Sequence, residues 1–411
     1  MKAVALSEEE RASFPARFLR RSAAPMSNFA FLSLGRLHLV QDGQVSEVTS
    51  QFGDRIRERA LEMERRHAWK MKGAGARFMG MWAARAPGES AADMQISITA
   101  LAPGAEKGEM LYTLETTDIC GLLHMKSFGE EENRLWHSNQ TRIRELARHP
   151  AEPRIACSVW EPDGTANIGV MTAEGSRLRE VTEGDSMDLA PRWVPGKSEL
   201  LVYQSAGLGR NRQGHPVTYG PFEIHELDLA SGELSTVAAD ARFDFLAPQR
   251  DAEGGLFYIR RPHRDPFRRS WWKSITDIAL IPFRFIAAIF QFFNFFTMRY
   301  TGKPLSDGGS AAKGADLKRM MIFGNLIDAE QQMRAAPKEE APDLVPKDWE
   351  LVHVPATGGE RIVARGVLSY DLLPDGAVLY SNGSAVFKVT PGGKPERVLK
   401  HSFIERIIAW G

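Results

Sequence analysis

Short apolar runs separated by Gly, Pro and Asp make up most of this chain. Strand-like runs begin at Phe29, where FAFLSL, GRLHLV and QVSEVTS are divided by Gly35 and by the pair Asp42-Gly43. An Asp-Gly pair between two apolar runs is a strong hairpin signal. The sequence therefore predicts a meander of three strands over residues 29–49.

A helix and a less regular region follow this meander. Residues 52–70 place Ile56, Ala60 and Met63 at helical spacing with charges on the other side, which predicts a solvated surface helix. Residues 77–104 hold two further candidate strands around a Gly/Ser/Ala loop. We interpret this second region as a decoration on the main fold.

From about residue 109 the same order of elements recurs every few tens of residues. Each unit contains an apolar strand, a Pro/Asp/Gly turn and a second strand, usually followed by two more strands joined at a Gly turn. Four-stranded units repeated at this period are typical of β-propellers. The fold class predicted is therefore all-β.

Several turns of the repeat carry a common signature. Residues 160–164, WEPDG, followed by NIGVM, resemble the W-x-P-D-G blade signature of TolB-like propellers. Residues 190–196, APRWVPG, are a second copy, and residues 374–376, PDG, are a third without the tryptophan. The resemblance covers roughly residues 110–260 and 350–410. It implies a propeller fold and leaves function open, because TolB-like blades occur in scaffolds, in sensors and as lids of peptidases.

The two ends of the repeating region predict how the ring closes. The last run, FIERIIAWG, has the character of an innermost strand, and residues 29–49 supply the other three strands of a blade. Pairing them would remove two exposed sheet edges. The predicted blades are 29–49 with 402–410, 110–147, 152–182, 188–238, 243–260 with 349–364, and 367–399. This makes a six-bladed propeller, or a seven-bladed one if residues 77–104 form a blade.

This division gives the chain three parts. Residues 1–28 are predicted to be an N-terminal arm. Residues 29–260 and 349–411 are predicted to form the propeller, closed by its N- and C-terminal strands. Residues 261–348 are predicted to be a helical insertion that interrupts one blade after its second strand.

The insertion contains the most apolar stretch of the chain, residues 267–302. Its entrance, RRPHRDPFRRSWWK, carries six Lys/Arg, one Asp and two Trp. Basic residues and Trp at the edge of an apolar helix favour an anionic bilayer surface. The residues predicted to contact a membrane or a partner are Arg268, Arg269, Trp271, Trp272, Lys273, Phe285, Ile289, Phe292, Phe293 and Phe296.

This apolar stretch is long enough to cross a bilayer, but two features oppose a crossing. Asp277 and Arg284 would each cost about 2.5–3.5 kcal/mol near the bilayer centre. Residues 260 and 349, on either side of the insertion, belong to the same predicted blade. We therefore expect an amphipathic helix lying on the membrane surface. Packing across a homo-oligomer interface and packing against the propeller are the alternatives, and a second helix is predicted over 316–335.

Charge and cysteine usage narrow the function classes. Lys+Arg and Asp+Glu both number 52, which argues against a nucleic-acid binder. Cys120 and Cys157 lie in strand-like contexts without metal-ligand spacing, which predicts buried free thiols. The first residues lack the apolar core of a secretory signal, so we expect a cytoplasmic location at the inner membrane. The expected partners are an anionic lipid surface and an unidentified protein, and oligomer formation stays open.

An acidic residue recurs near the start of each presumed innermost strand. Because innermost strands line a propeller channel, five carboxylates would meet at one mouth and could bind a cation or a basic peptide. Alternatively, each carboxylate accepts backbone N–H groups from a neighbouring turn and ties the blades together. The residues are Asp118, Asp188, Asp244, Asp371 and Glu405.

A second candidate site is the polar loop at residues 205–222. It concentrates Arg210, Arg212 and His215, which suit an anion, although it can equally be a surface loop without a ligand. The sequence contains no nucleophile elbow, phosphate loop or metal-ligand spacing, so no catalytic residue, metal or cofactor is predicted. We expect a non-enzymatic scaffold on the membrane surface. The alternatives are a hydrolase or lyase at the channel mouth and an oligomer held by the apolar helices.

Overall fold

The computed structural model describes residues 28–67, 96–126, 131–264, 320–322, 325–327 and 343–409. These residues contain 27 strands and one α-helix, so the fold is mostly β, as predicted. The strands form four four-stranded antiparallel sheets, one nine-stranded sheet that divides into two units at a single parallel bridge, and one two-stranded hairpin.

The first unit joins the two ends of the described chain. Its strands are β1 (Phe29–Ser33), β2 (Arg36–Gln41), β3 (Gln44–Val48) and β27 (Ile404–Ala409). β27 runs antiparallel to β1, with Ala30 opposite Ile408 and Phe31 opposite Ile407. This is the pairing expected from the sequence, and it covers the edge that β1 would otherwise expose.

The second and third units begin one strand earlier than predicted. The second contains β4 (Ser97–Pro103), β5 (Met110–Glu115), β6 (Cys120–Met125) and β7 (Glu132–Ser138). The third contains β8 (Arg142–Arg148), β9 (Arg154–Trp160), β10 (Ala166–Thr172) and β11 (Arg179–Glu180). The predicted borders 110–147 and 152–182 are therefore wrong. The turn after β8 explains the error, because His149 Nδ1 accepts the N–H groups of Ala151 and Glu152 and folds β8 onto β9.

The fourth unit contains an extra strand. Its strands are β12 (Ser186–Trp193), β13 (Leu200–Arg210), β14 (Pro216–Tyr219), β15 (Glu223–Asp228) and β16 (Leu234–Ala238). β14 pairs with the far end of β13, so much of the predicted loop 205–222 is an ordered hairpin. A single parallel bridge between Ala166 and Met187 joins this unit to the third.

The fifth unit contains the insertion point. Its strands are β17 (Phe243–Arg250), β18 (Leu256–Pro262), β21 (Glu350–Val354) and β22 (Arg361–Arg365). β18 pairs directly with β21, with Tyr258 opposite Val352, so the chain leaves and re-enters the sheet on neighbouring strands. The sixth unit contains β23 (Ser369–Leu372), β24 (Val378–Ser381), β25 (Ala385–Val389) and β26 (Glu396–Lys400).

Within the insertion, the structure describes a short hairpin. β19 (Met320–Ile322) pairs antiparallel with β20 (Asn325–Ile327). The helix predicted over 316–335 is therefore wrong for these residues, and Gly324, a poor helix former, interrupts the helical pattern between them. The apolar stretch 267–302 and the N-terminal arm 1–27 lie outside the described residues.

The apolar core lies between neighbouring units. Side chains alternate across a strand, so Leu256 and Tyr258 of β18 pack towards the fourth unit, and Phe257 and Ile259 pack towards the sixth. Each of the six neighbouring pairs shares such a cluster. Because both faces of a sheet are covered, inner strands such as β1 and β5 are buried at every position rather than at alternate ones.

The helix α1 (Gln51–His67) covers the junction of the first two units. Glu132 on β7 accepts the N–H of Phe52 at 2.8 Å, which satisfies a free donor at the helix start. Phe52 and Ile56 pack against the apolar cluster of units one and two. The helix predicted from residue 52 is confirmed as far as His67. No helix in the described residues has the length and apolar character needed to cross a bilayer.

Removal of a side chain from β27 tests the contribution of this strand. Ile407 is 1% exposed and packs with Phe29, Phe31 and Leu379. We expect Ile407→Ala to lower the free energy of unfolding by about 2–5 kcal/mol, measured by urea denaturation, because it leaves a cavity between units. The control is Ile362→Ala on β22, where the side chain is 42% exposed and its loss should have little effect. Equal effects of the two substitutions would contradict the role of β27.

Candidate functional site

The first strands of neighbouring units lie next to one another in a continuous series. β27 contacts β4, β4 contacts β8, β8 contacts β12, β12 contacts β17, and β23 contacts β27. β17 and β23 are joined by hydrogen bonds. The Tyr370 hydroxyl donates to the Ala247 carbonyl at 2.6 Å, and the Gln249 amide donates to the Tyr370 carbonyl at 3.4 Å.

Five of these strands, β8, β12, β17, β23 and β27, surround a small central cavity. Its water-accessible volume is about 20 Å³, enough to hold a water molecule. Its polar and charged lining residues are Glu145, Arg192, Gln249, Ser369, Tyr370 and Arg406. None of them was a site candidate from the sequence.

Bulges in the first strands bring these side chains to the cavity. The pairing of β12 with β13 shifts between Leu189 and Arg192, and Ala190 within this shift has a φ of 53°. β17 repeats the arrangement, with Ala247 at a φ of 51° just before Gln249. A bulge inserts an extra residue and changes the direction of the side chains that follow. Non-glycine residues rarely adopt positive φ, and such positions often occur at functional sites.

The charges at the cavity are only partly matched. Arg406 Nη2 lies 4.0 Å from Glu145 Oε1, too far for a hydrogen bond. Glu145 Oε2 is buried and has no hydrogen-bond partner among the described residues. Burial lowers the pKa of Arg406, Glu145 acts in the opposite direction, and Arg192 lowers it further. The cavity therefore contains polar groups whose bonding capacity the described protein does not fill.

Asp371 lies beside this cluster, although it does not line the cavity. Burial raises the pKa of Asp371, while Arg192 and the N–H of Ala409, 2.7 Å from its Oδ2, act against that change. Burial also raises the pKa of Tyr370 well above its ordinary value, so this phenol stays protonated. Both groups are therefore held by hydrogen bonds within the protein, Tyr370 to Ala247 and Asp371 to Ala409.

The five predicted channel carboxylates differ in their surroundings. Asp118 is exposed in the turn between β5 and β6, so its predicted place on an innermost strand is wrong. Asp188 is 3% exposed and accepts a hydrogen bond from the Ser205 hydroxyl at 2.6 Å. Glu405 is partly buried, which raises its pKa, and it bonds to the backbone of Leu34. The described residues contain no group of His, Cys, Asp and Glu that could hold a metal ion.

Asp244 forms a buried ion pair at the root of the insertion. It is fully buried, and its Oδ2 lies 2.9 Å from Nε of Arg261, which is itself only 2% exposed. His263 Nδ1 lies 2.7 Å from the other carboxylate oxygen. The Arg261 guanidinium stacks 4.6 Å from the ring of Trp349, where the chain returns. Asp244 thus has a structural role, as in the alternative interpretation of the acidic residues.

The predicted anion-binding residues of the loop are separated by their bonding. Arg210 donates to Asp185 Oδ1 at 2.6 Å and to Asp163 Oδ2 at 2.9 Å, so its guanidinium already holds two carboxylates. Its role as an anion ligand stays a prediction. Arg212 and His215 are exposed in the turn between β13 and β14. The bonds of Arg210 stabilise this hairpin, and this is the bracing role of Arg210.

The described residues offer no activated nucleophile at the cavity. The Ser369 hydroxyl accepts the N–H of Ile407 at 3.1 Å, and no histidine or cysteine is among the cavity-lining residues. Cys120 and Cys157 are buried free thiols, as predicted. Burial raises the pKa of both, to about 11 for Cys120, so both remain unreactive thiols.

Comparisons with known proteins relate the chain to propeller structures. No protein-family model and no curated protein matches it. The structure is similar to TolB from Acinetobacter baumannii, with a TM-score of 0.48 and 11% identity over 92% of this chain. It is also similar to a chain of a nidogen/laminin complex, with a TM-score of 0.48 and 8% identity over 93% of this chain and 97% of that one. A third similar structure is the tricorn protease, with a TM-score of 0.44 and 11% identity over 93% of this chain.

These similarities concern the fold alone. The chain spans 65% of the length of the TolB chain and 34% of the length of the tricorn protease chain. At TM-scores below 0.5 the likeness is loose. The fold is defined by the strand pairing within the chain itself.

The buried Asp244–Arg261 pair can be tested against an exposed pair. We expect Asp244→Ala to lower the free energy of unfolding by about 3–5 kcal/mol, because the Arg261 guanidinium would stay buried without the carboxylate of Asp244. The matched control is Asp240→Ala, since Asp240 pairs with Arg242 at 2.8 Å on the surface. Surface ion pairs contribute little, so this control should unfold nearly as the wild type does. Urea denaturation of the two variants measures the difference, and similar losses would contradict the structural role of Asp244.

The bracing role of Arg210 predicts a local change in backbone protection. We expect Arg210→Ala to speed hydrogen exchange at Asn211 and His215, whose N–H groups bond within the hairpin turn. Arg212→Ala is the matched control and should leave these rates unchanged, because Arg212 is exposed. Hydrogen–deuterium exchange followed by mass spectrometry measures both. Unchanged exchange in Arg210→Ala would show that the hairpin does not need this residue.

Proposed function

We propose that this chain is a closed, six-bladed, non-enzymatic binding platform attached to the inner face of the cytoplasmic membrane. In this proposal, the segment inserted between β18 and β21 makes the attachment, and the blades bind a protein partner. The observation that carries the proposal is the geometry of the insertion point, where both ends of an apolar segment are held at one place.

The described ends of the insertion are tied to each other. Arg260 on β18 bonds to Glu350 on β21 at 2.7 Å, and Arg264 lies 3.8 Å from Asp348. Because the chain departs and returns on paired strands, a single membrane crossing would place one end on the wrong side. A segment that lies in the membrane surface satisfies this constraint.

The composition of the insertion supports attachment to lipid. Its large apolar side chains would each contribute about 1.5–3 kcal/mol on burial, so a few of them suffice for stable attachment. Trp271 and Trp272 suit the boundary between headgroups and acyl chains. Arg268, Arg269 and Lys273 would meet anionic headgroups, at about 1 kcal/mol each.

The contacts between units support the closed ring. The first strands contact one another from β27 through β4, β8, β12 and β17, and hydrogen bonds continue the series to β23. An apolar cluster fills each junction between neighbouring units. A closed ring offers rigid loops on both faces, which suits a binding platform. No observation at the cavity favours the hydrolase or lyase alternative.

Flotation with liposomes tests the attachment. We expect the full chain to float with vesicles that contain phosphatidylglycerol and to float less with phosphatidylcholine alone. A variant in which residues 267–302 are replaced by a Gly/Ser linker of equal length should stay in the aqueous phase. Its cooperative unfolding should match that of the wild type, because the contacts between units that the described residues make lie outside 267–302.

Charge variants separate contact with anionic headgroups from nonspecific adsorption to vesicles. Arg268→Gln combined with Arg269→Gln should weaken flotation with anionic vesicles, while Arg212→Gln, an exposed arginine elsewhere, should have no effect. Failure of the full chain to float would refute membrane attachment. If sedimentation then showed an oligomer that the linker variant does not form, the apolar segment would be a subunit interface.

A further inference from the structure

Three aromatic side chains meet where β27 pairs with β1. Phe31 on β1 is fully buried and lies opposite Ile407 of β27. The imidazole of His38, opposite Phe31 on β2, stacks on the Phe31 ring with the two centroids 4.8 Å apart. His401, in the connection from β26 to β27, lies 4.9 Å from the same ring and 4.8 Å from His38. Two titratable side chains therefore share one contact at the pair of strands that joins the two ends of the described chain.

The backbone around His401 connects β27 to both of its neighbours. The N–H of His401 donates to the Ser384 carbonyl of the sixth unit at 3.1 Å. Its Nδ1 lies 2.9 Å from the carbonyl of Ser402, and because a carbonyl can only accept, this nitrogen carries a hydrogen and donates. The Ser402 carbonyl also accepts the hydroxyl of Ser33 on β1 at 2.9 Å. A displacement of the His401 side chain would thus disturb bonds that hold β27 in place.

Neither imidazole of this pair forms an ion pair among the described residues. Of the charged residues on either side of His401, Lys400 is exposed and Glu405 bonds to the backbone of Leu34. A nearby carboxylate favours the charged form of a histidine, and protonated His38 and His401 would lack such a partner. Four other histidines do lie within 2.7–3.5 Å of a carboxylate oxygen, namely His124, His225, His263 and His353.

The surroundings of His38 favour its neutral form. The pKa of His38 is lowered from its ordinary value of 6.5 chiefly by burial and next by His401. Arg36 lowers this pKa further and Glu47 raises it, and these two exposed side chains bond to each other at 3.1 Å. The face of the Phe31 ring can support one neighbouring cation, but two cations in contact with one ring repel each other. The cluster is therefore most stable when its imidazoles are not both charged.

We propose that His38 and His401 make the pairing of β27 with β1 sensitive to acid. When both imidazoles are neutral, they pack against Phe31 as ordinary aromatic side chains. When both are protonated, their charges repel each other in a partly buried site and weaken the attachment of β27. Because the pKa of His38 is lower in the folded chain than in the unfolded one, this stability is fully present above pH 6.5 and is lost as the pH falls through the lowered pKa. This proposal does not depend on membrane attachment.

Hydrogen–deuterium exchange of the full chain at pH about 7.5 and about 5.5, corrected for the intrinsic exchange rate, tests the proposal. We expect the protection of the β27 amides to fall by about threefold to tenfold at the lower pH, because a histidine kept neutral by the fold loses at most about tenfold over this interval. In His38→Gln, which removes one of the two titrating side chains, the fall should be less than about twofold. His215→Gln is the matched control, since His215 is exposed in the turn between β13 and β14, and it should behave as the wild type does.

The location of the change separates this effect from a general loss of stability in acid. Burial also lowers the pKa of His149, whose turn lies between β8 and β9. A loss of protection confined to β9, or an equal loss in all strands, would overturn the proposal. Unchanged protection of β27 in the wild type would also overturn it, as would the same pH dependence in His38→Gln and His215→Gln. If His38→Gln does not fold, His401→Asn, which keeps a donor for the Ser402 carbonyl, provides the same comparison.

Discussion

The pairing of β27 with β1 is the constraint on which the arrangement of the other units depends. The first described strand of the chain is the second strand of its unit, and the last described strand is the first. The unit is therefore complete only when the whole intervening chain is in place. Sheets in this chain are covered on both faces by their neighbours, so each junction relies on the next. Such non-local pairing costs loop-closure entropy before any contact compensates for it.

The ends of the insertion are likewise fixed by contacts with the sheet. Arg261 near the end of β18 is buried against Asp244 of β17, and Trp349 covers its guanidinium from the returning chain. A buried ion pair gains little net stability, because removing two charges from water is costly. The pair instead fixes the relative positions of the two side chains, because either charge buried alone would be strongly unfavourable. The two ends of the insertion are thereby fixed to the sheet whatever the inserted residues contact.

The sequence predicted the fold better than it predicted the site. Gly and Asp-Gly turns marked the strands of the first unit, and the apolar C-terminal run predicted the pairing with β1. The prediction begins the second unit one strand too late, because β4 lacks the Trp and Pro-Asp-Gly of the repeat signature, and Asp118 was therefore assigned to the wrong strand. The predicted borders of the second and third units follow the turn residues in the sequence. The actual pairing follows the hydrogen bonds that His149 accepts in the turn after β8. Hydrogen bonds of this kind are decided by side-chain geometry and leave little trace in a hydrophobic pattern.

The cavity residues were missed for a different reason. Their position depends on bulges at Ala190 and Ala247, and a positive φ at an alanine cannot be deduced from residue type. One signal was nevertheless present, because both strands contain Ala-Pro followed by a polar residue, Arg192 in one and Gln249 in the other.

A comparison of repeated positions shows where function can reside in such a chain. Asp188 and Asp244 occur in equivalent strands, and each is engaged, one by Ser205 and the other by Arg261. Relative to the Ala-Pro bulge that the two strands share, these aspartates are one residue apart, and both are occupied by structural bonds. Arg192 and Gln249 share a bulged backbone and differ in chemistry, and Arg192 has no hydrogen-bond partner among the described residues. The bulged backbone recurs in both strands, whereas the side chain of Arg192 does not. This side chain is held in a fixed place and is available to a ligand.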